Sequence, residues 1–183
     1  AVMAQSEIEA HQSALNARAA LKLKQDEAYY QKYGADLWKS YQQALSDAEA
    51  LLMKRSFSSA KKQFTKIKTS IPDLERKARI TELSQAISAS KEDQQKWALA
   101  KELEAFDTTN TLAKEVLTQL QPVLQLEITP ADVDVYLDGV QQKSKIFQLK
   151  YGAKYKIRLE KKFYLNQEFT FESAHFGKKI VTK

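Results

Sequence analysis

His11 and His175 are the only histidines, almost a full chain apart, and cysteine is absent. A histidine-based triad or a multi-histidine metal site therefore cannot be built within one copy, and disulfides and thiolate chemistry are removed together. Four isolated glycines cannot assemble a Walker loop or a dinucleotide fingerprint. Among the carboxylates, Glu102 and Glu104 fall on different sides of a helix, and Glu92 with Asp93 reads as a helix start. Asp132, Asp134 and Asp138 are evenly spaced, as calcium ligands can be. Strand alternation, however, places them on one face, and the internal glycine and closing glutamate of an EF-hand loop are missing. Glycosidase chemistry by carboxylates remote in sequence stays open, because their separation in space is not readable here. Otherwise the chain reads as a non-enzyme, with no cofactor or metal expected.

Cations are more patterned. Lys54, Arg55, Lys61, Lys62, Lys66 and Lys68 stand with no acidic residue among them. They form either a solvated helix face or a site for an acidic protein partner. Further on, residues 143–162 hold eight basic side chains against Glu160 alone. Within that span Lys154, Lys156 and Arg158 alternate with Tyr155, Ile157 and Leu159, and Lys161 and Lys162 follow. Such a face can hold an anionic polymer or lipid headgroups through charge, or it can be a strand edge protected by lysines. No nucleic-acid motif accompanies the charge, so sequence-specific nucleic-acid binding is not expected.

The elements that position these groups come in two kinds. Hydrophobic and charged contents of 43% and 28% over 183 residues are ordinary for a folded chain. The net charge of +6 is uneven: residues 123–183 carry eleven basic and seven acidic side chains. No apolar run is long enough to span a bilayer, so any membrane anchor is expected outside this stretch. Ala1-Val2-Met3-Ala4 reads either as the end of a secretory signal, cleaved after Ala4, or as a cloning remnant. At Leu126 to Gly139 the pattern turns from helical to alternating, which suggests a helical domain over 1–122 and a small β domain over 123–183.

From Gln5 to about Tyr33 there is no glycine or proline, and Ala10, Ala14, Ala17, Leu21 and Ala28 mark one stripe. The reading is a single long helix, ended by Gly34 in the left-handed conformation and followed by a helix that Asp36 caps. That second helix, about Leu37 to Lys54, buries Trp38, Tyr41, Ala44, Leu45, Ala48, Leu51 and Leu52. Ser56 can cap a third, whose stripe is Phe57, Ala60, Phe64, Ile67 and Ile71. Taking Tyr41 as a first position, Ala48, Phe57, Ala60, Phe64, Ile67 and Pro72 fall where a tetratricopeptide repeat places its small residues, aromatics and closing proline. The segment resembles such a repeat, and the resemblance implies a protein or peptide partner in a groove between helices. Trp38 and Tyr41 are expected in the core rather than in recognition. A degenerate second repeat is expected from helices at about 73–88 and 92–106, departing from the pattern at Lys96, Leu103 and Thr108. The Asp107-Thr108-Thr109-Asn110 junction then leads to a last helix, 111–120, stopped by Pro122.

Beyond Pro122, Leu124, Leu126 and Ile128 alternate with polar residues, and Val133, Val135 and Leu137 resume after Pro130. Asp138-Gly139 is a strong hairpin turn, since both residues accept positive φ. Later strands are expected near 144–149, 154–159, 167–172 and 179–182, with a turn at Tyr151-Gly152. This order resembles the PEGA domain, through Leu126–Ile128, Pro130-Ala131-Asp132-Val133, Val135–Gly139, Gly152 and Phe163-Tyr164. The corner lacks its glycine, and Ser144-Lys145 stands where the family often has Thr-Pro. The resemblance implies a non-catalytic β-sandwich of bacterial surface proteins, periplasmic or otherwise extracytoplasmic and often part of a larger chain. The fold class expected is thus α+β: tetratricopeptide-like helical hairpins, then a PEGA-like sandwich. The function expected is a scaffold binding a protein partner, with a polyanion- or membrane-surface-binding module through 143–162 as the alternative.

Overall fold

The chain begins with helices because apolar residues recur every three or four positions, and it ends in strands because they recur every second. A computed structural model describes residues 4–183, so that Ala1, Val2 and Met3 of the signal-like string lie outside the described residues. Six helices precede seven strands among the described residues: α1 (Gln5–Ala19), α2 (Glu27–Tyr33), α3 (Ala35–Met53), α4 (Phe57–Ala89), α5 (Asp93–Phe106) and α6 (Thr111–Leu120), then β1 (Val123–Glu127), β2 (Asp134–Leu137), β3 (Val140–Gln142), β4 (Ile146–Gln148), β5 (Lys154–Glu160), β6 (Gln167–Glu172) and β7 (Lys178–Thr182). The fold is α+β. No described helix is long and apolar enough to cross a membrane. Two compact units divide within α4, at Gln85 and Ala86, so that α5 and α6 group with the strands rather than with the preceding helices. The secondary structure itself changes between Leu120 and Val123.

In the first unit the expected long N-terminal helix is two. The chain leaves helix after Ala19 and re-enters at Glu27, where the Asp26 carboxylate accepts from the Tyr29 N–H at 2.9 Å. No glycine or proline marks the break. Instead Leu21 and Leu23 pack on the core and the Lys24 N–H donates to Glu75 at 3.1 Å, so tertiary contacts override helix propensity. Ala14 is buried and Ala10, Ala17 and Leu21 pack against the core, whereas Ala28 is exposed. Gly34 is not left-handed: its φ is −133°, and it caps α3, leaving Asp36 in the first turn.

The α3–α4 turn is a Schellman closure, with Ser56 N–H donating to Leu51 O at 2.9 Å and Arg55 N–H to Leu52 O at 3.0 Å. Arg55 takes the left-handed position, φ 59°, where glycine is usual. Trp38, Tyr41 and Ala48 of α3 share one core with Phe57, Ala60, Phe64, Ile67, Ile71, Leu74 and Ala78 of α4. Helix α4 does not stop at Pro72, which lies inside it. The apolar stripe keeps its three-and-four spacing through the proline, and Pro72 itself is exposed. Close by, Thr69 and Ser70 hydroxyls donate to Lys66 O at 2.7 Å and Ile67 O at 2.8 Å. The helix break expected at Pro72 is therefore absent: continuous burial outweighs the lost backbone hydrogen bond.

In the second unit, Asn110 caps α6 by accepting from the Ala113 N–H at 3.1 Å. The strands form two sheets, β4-β1-β7 and β3-β2-β5-β6. β1 runs antiparallel to β4 but parallel to β7. Leu124, Leu126 and Phe147 from one sheet and Val135, Ile157, Leu159 and Phe171 from the other make a single core. Asp138 and Gly139, with φ of 49° and 83°, form the expected β2–β3 turn. Trp97 of α5 lies 5.9 Å from the Phe176 ring, which stacks on Tyr151 at 4.6 Å.

Candidate functional site

Helix α3 presents Leu37, Ser40, Tyr41 and Ala44 at spacings of three, one and three, a single helical face. Helix α4 answers with Gln63, Lys66, Ile67, Ser70, Asp73 and Leu74, and the two faces line a groove of about 240 Å³. Leu37, Tyr41, Ala44, Ile67 and Leu74 give it an apolar floor, while Lys66, Asp73, Gln63 and the serines give a polar rim. Trp38, 7% exposed, is a core residue as expected; Tyr41, 9% exposed, packs in the core and also lines the groove, and burial followed by the neighbouring Tyr30 raises its phenol pKa.

The six cations proposed for partner binding do not converge. Lys66 lines the groove, and Lys62, one turn earlier, lies on the same side of α4. Lys61 and Lys68, seven residues apart, share a different flank, and all four are exposed. Arg55 closes the helix turn and pairs with Glu7 at 3.1 Å, while Lys54 is the C-cap of α3. The groove-lining residues Ser40, Ser70 and Asp73 carry no charge cluster, which is why sequence reasoning passed over them. Their signal was the three-and-four spacing on the polar flank of the stripe.

The basic span 143–162 is less uniform in space than in sequence. Strand β5 does alternate, with Ile157 and Leu159 buried. Register with β6, however, sets Lys154 against Glu172 and Arg158 against Glu168. Lys156 pairs with Glu168 at 2.8 Å; Arg158 pairs with Glu160 at 3.1 Å and lies over the Tyr136 ring. Lys161 meets Asp132 at 2.5 Å, holding that carboxyl below the ordinary aspartate range, and Lys145 donates to Ala131 O. Lys143, Lys150, Lys154 and Lys162 are exposed.

The aspartates are likewise engaged one by one. Asp134 accepts from Gln141 at 3.1 Å and Asp138 from the Lys156 N–H at 2.7 Å. Among the described residues no three His, Asp or Glu side chains are grouped as a metal site would require. His11 packs on Phe57 at 4.7 Å, His175 stands 3.4 Å from Val123 O, and Glu104 pairs with Lys101 at 3.1 Å. The class of molecule is thus an α+β chain with a helical groove and a two-sheet module. No family model, no curated protein and no solved structure matches it.

Proposed function

We propose that this chain is a non-enzymatic interaction module of a bacterial cell-envelope protein, whose α3–α4 groove takes an extended or helical segment of a protein partner. The observation that carries this reading is the groove itself, an apolar floor of Leu37, Tyr41, Ala44, Ile67 and Leu74 inside a rim that offers Lys66 and Asp73. The likeness to tetratricopeptide hairpins supports it through the 0% exposure of Ala48 and Ala60, small residues that allow close helix approach. The envelope assignment rests on the PEGA-like strand order alone. A photo-crosslinker at Ser70 should capture one partner from envelope extract, and Ala44→Arg should lower that capture about tenfold or more. Equal capture from a crosslinker at Lys68, on the other flank, or indifference to Ala44→Arg, would remove the groove from the function.

A further inference from the structure

We infer that the β5–β6 loop, residues 161–166, inserts its tip into the headgroup boundary of an anionic phospholipid bilayer. This inference is independent of the helical groove. Its first observation is a set of large apolar side chains held outside the core: Phe163 is 92% exposed, Leu165 94% and Tyr164 61%. Single exposed apolar residues are ordinary, but three in succession at one loop tip form a patch. Tyr164 and Leu165 extend it, lining a shallow recess of about 70 Å³ with Ile128, Pro130 and Val133.

A second observation comes from the backbone. The Tyr164 N–H donates to Lys161 O at 3.0 Å, closing a four-residue turn. Phe163 is the third residue of that turn, with φ 70°, where glycine or asparagine is the ordinary occupant. A bulky aromatic in this region is strained. Glycine would relieve the backbone and hide no apolar area from water, so folding alone does not call for phenylalanine here.

Charge selects the occupant. Lys162 Nζ lies 5.0 Å from the Phe163 ring centroid and Lys161 Nζ 5.1 Å from that of Tyr164; Lys161 and Lys183 line the recess. Asp132 neutralises Lys161, while Lys162 forms no ion pair among the described residues. An aromatic and aliphatic tip bracketed by lysines matches the layering of a bilayer, with phosphates above acyl chains, and lysine stems can follow the apolar surface while their ammonium groups stay in water. A twofold contact through the same tip would instead bring like cations face to face.

The test is co-sedimentation of the full chain with phosphatidylcholine vesicles containing about a quarter phosphatidylglycerol. Binding is expected at low salt and weakens as salt rises. The double variant Phe163→Ser/Leu165→Ser should lower partitioning about a hundredfold, since two apolar anchors are lost, with unchanged thermal unfolding. In Phe163→Trp, vesicles should shift emission to the blue and brominated acyl chains should quench it beyond the background of the native tryptophans. Absence of wild-type binding, double-variant binding equal to wild type, or an unquenched Trp would each overturn the inference. So would a concentration-dependent dimer lost in the double variant without vesicle binding, which would give the tip to a second copy. Should the double variant unfold, the Phe163→Trp quenching decides alone.

Discussion

Gly34 and Leu74 approach so closely that a Cβ added to Gly34 would lie 3.2 Å from Leu74 Cδ1, with Ala78 Cβ at 3.4 Å. The glycine therefore serves contact between the start of α3 and the middle of α4, and its φ of −133° is open to other residues. Gly34→Ala asks Leu74 to move only a few tenths of an ångström and should cost under about 1 kcal/mol, whereas Gly34→Leu overpacks the site and should cost about 2 kcal/mol. Urea unfolding of both variants checks this, and equal stabilities would refute it.

Tyr29 and Glu82 give the first unit a pH signature. Tyr29 Oη donates to Glu82 at 2.8 Å and Arg79 to the same oxygen at 2.6 Å. Burial, then the Glu82 hydrogen bond, pushes the Tyr29 phenol up to about 12. Burial also pushes Glu82 up, but hydrogen bonds from Arg79 and Tyr29 outweigh it and hold the carboxyl below its ordinary 4.5. The raised phenol contributes stability that is complete below about pH 10 and fades as pH climbs through about 12. The lowered carboxyl contributes above about pH 4.5, and that contribution fades as pH falls through its lower folded value. Tyr29→Phe should flatten the alkaline limb and Glu82→Gln the acid limb of a stability–pH curve, and an unchanged curve for either would contradict this.

Pro72 sits inside α4 and is exposed, so its ring displaces a backbone hydrogen bond without filling the core. Pro72→Ala should stabilise the chain by about 1 to 3 kcal/mol. A destabilised variant in thermal unfolding would show that the proline shapes α4 in a way the core needs.

Asp138 holds the β2–β3 turn by two means, a φ of 49° and a carboxylate that accepts from the Lys156 N–H at 2.7 Å. Asp138→Ala loses both and should cost about 2 kcal/mol, while Asp138→Asn keeps the conformation and an acceptor and should cost under about 1 kcal/mol. Chemical denaturation that ranks the two the other way would sink this account.

Strand alternation at Leu124 and Leu126, the Asp138-Gly139 turn, and the apolar stripe through Phe57, Ala60, Phe64 and Ile67 were legible because each is local: a period of two or of 3.6, or a pair of residues tolerant of positive φ. The breaks in helicity were not. No glycine or proline ends a helix within residues 20–26, and the one local signal is Asp26, which caps α2; Leu21 and Leu23 pack on the core across the break. Pro72 suggested an end, yet Leu74 and Ala78 kept the stripe in phase beyond it.

Sequence by itself determined the order of elements, helices then strands, the absence of cysteine, and two acid-poor runs of basic residues, 54–68 and 143–162. Tertiary structure alone decided what those lysines face. Strand register brings Glu168 and Glu172 beside a span that contains only Glu160 in sequence. Helix packing puts Lys66 on a groove and leaves Lys61 and Lys68 off it. It also decided that Phe163 and Leu165, residues a pattern would assign to a core, stand in water. The reason is that charge pairing and burial depend on distances between residues far apart in the chain, and a one-dimensional pattern records only neighbours.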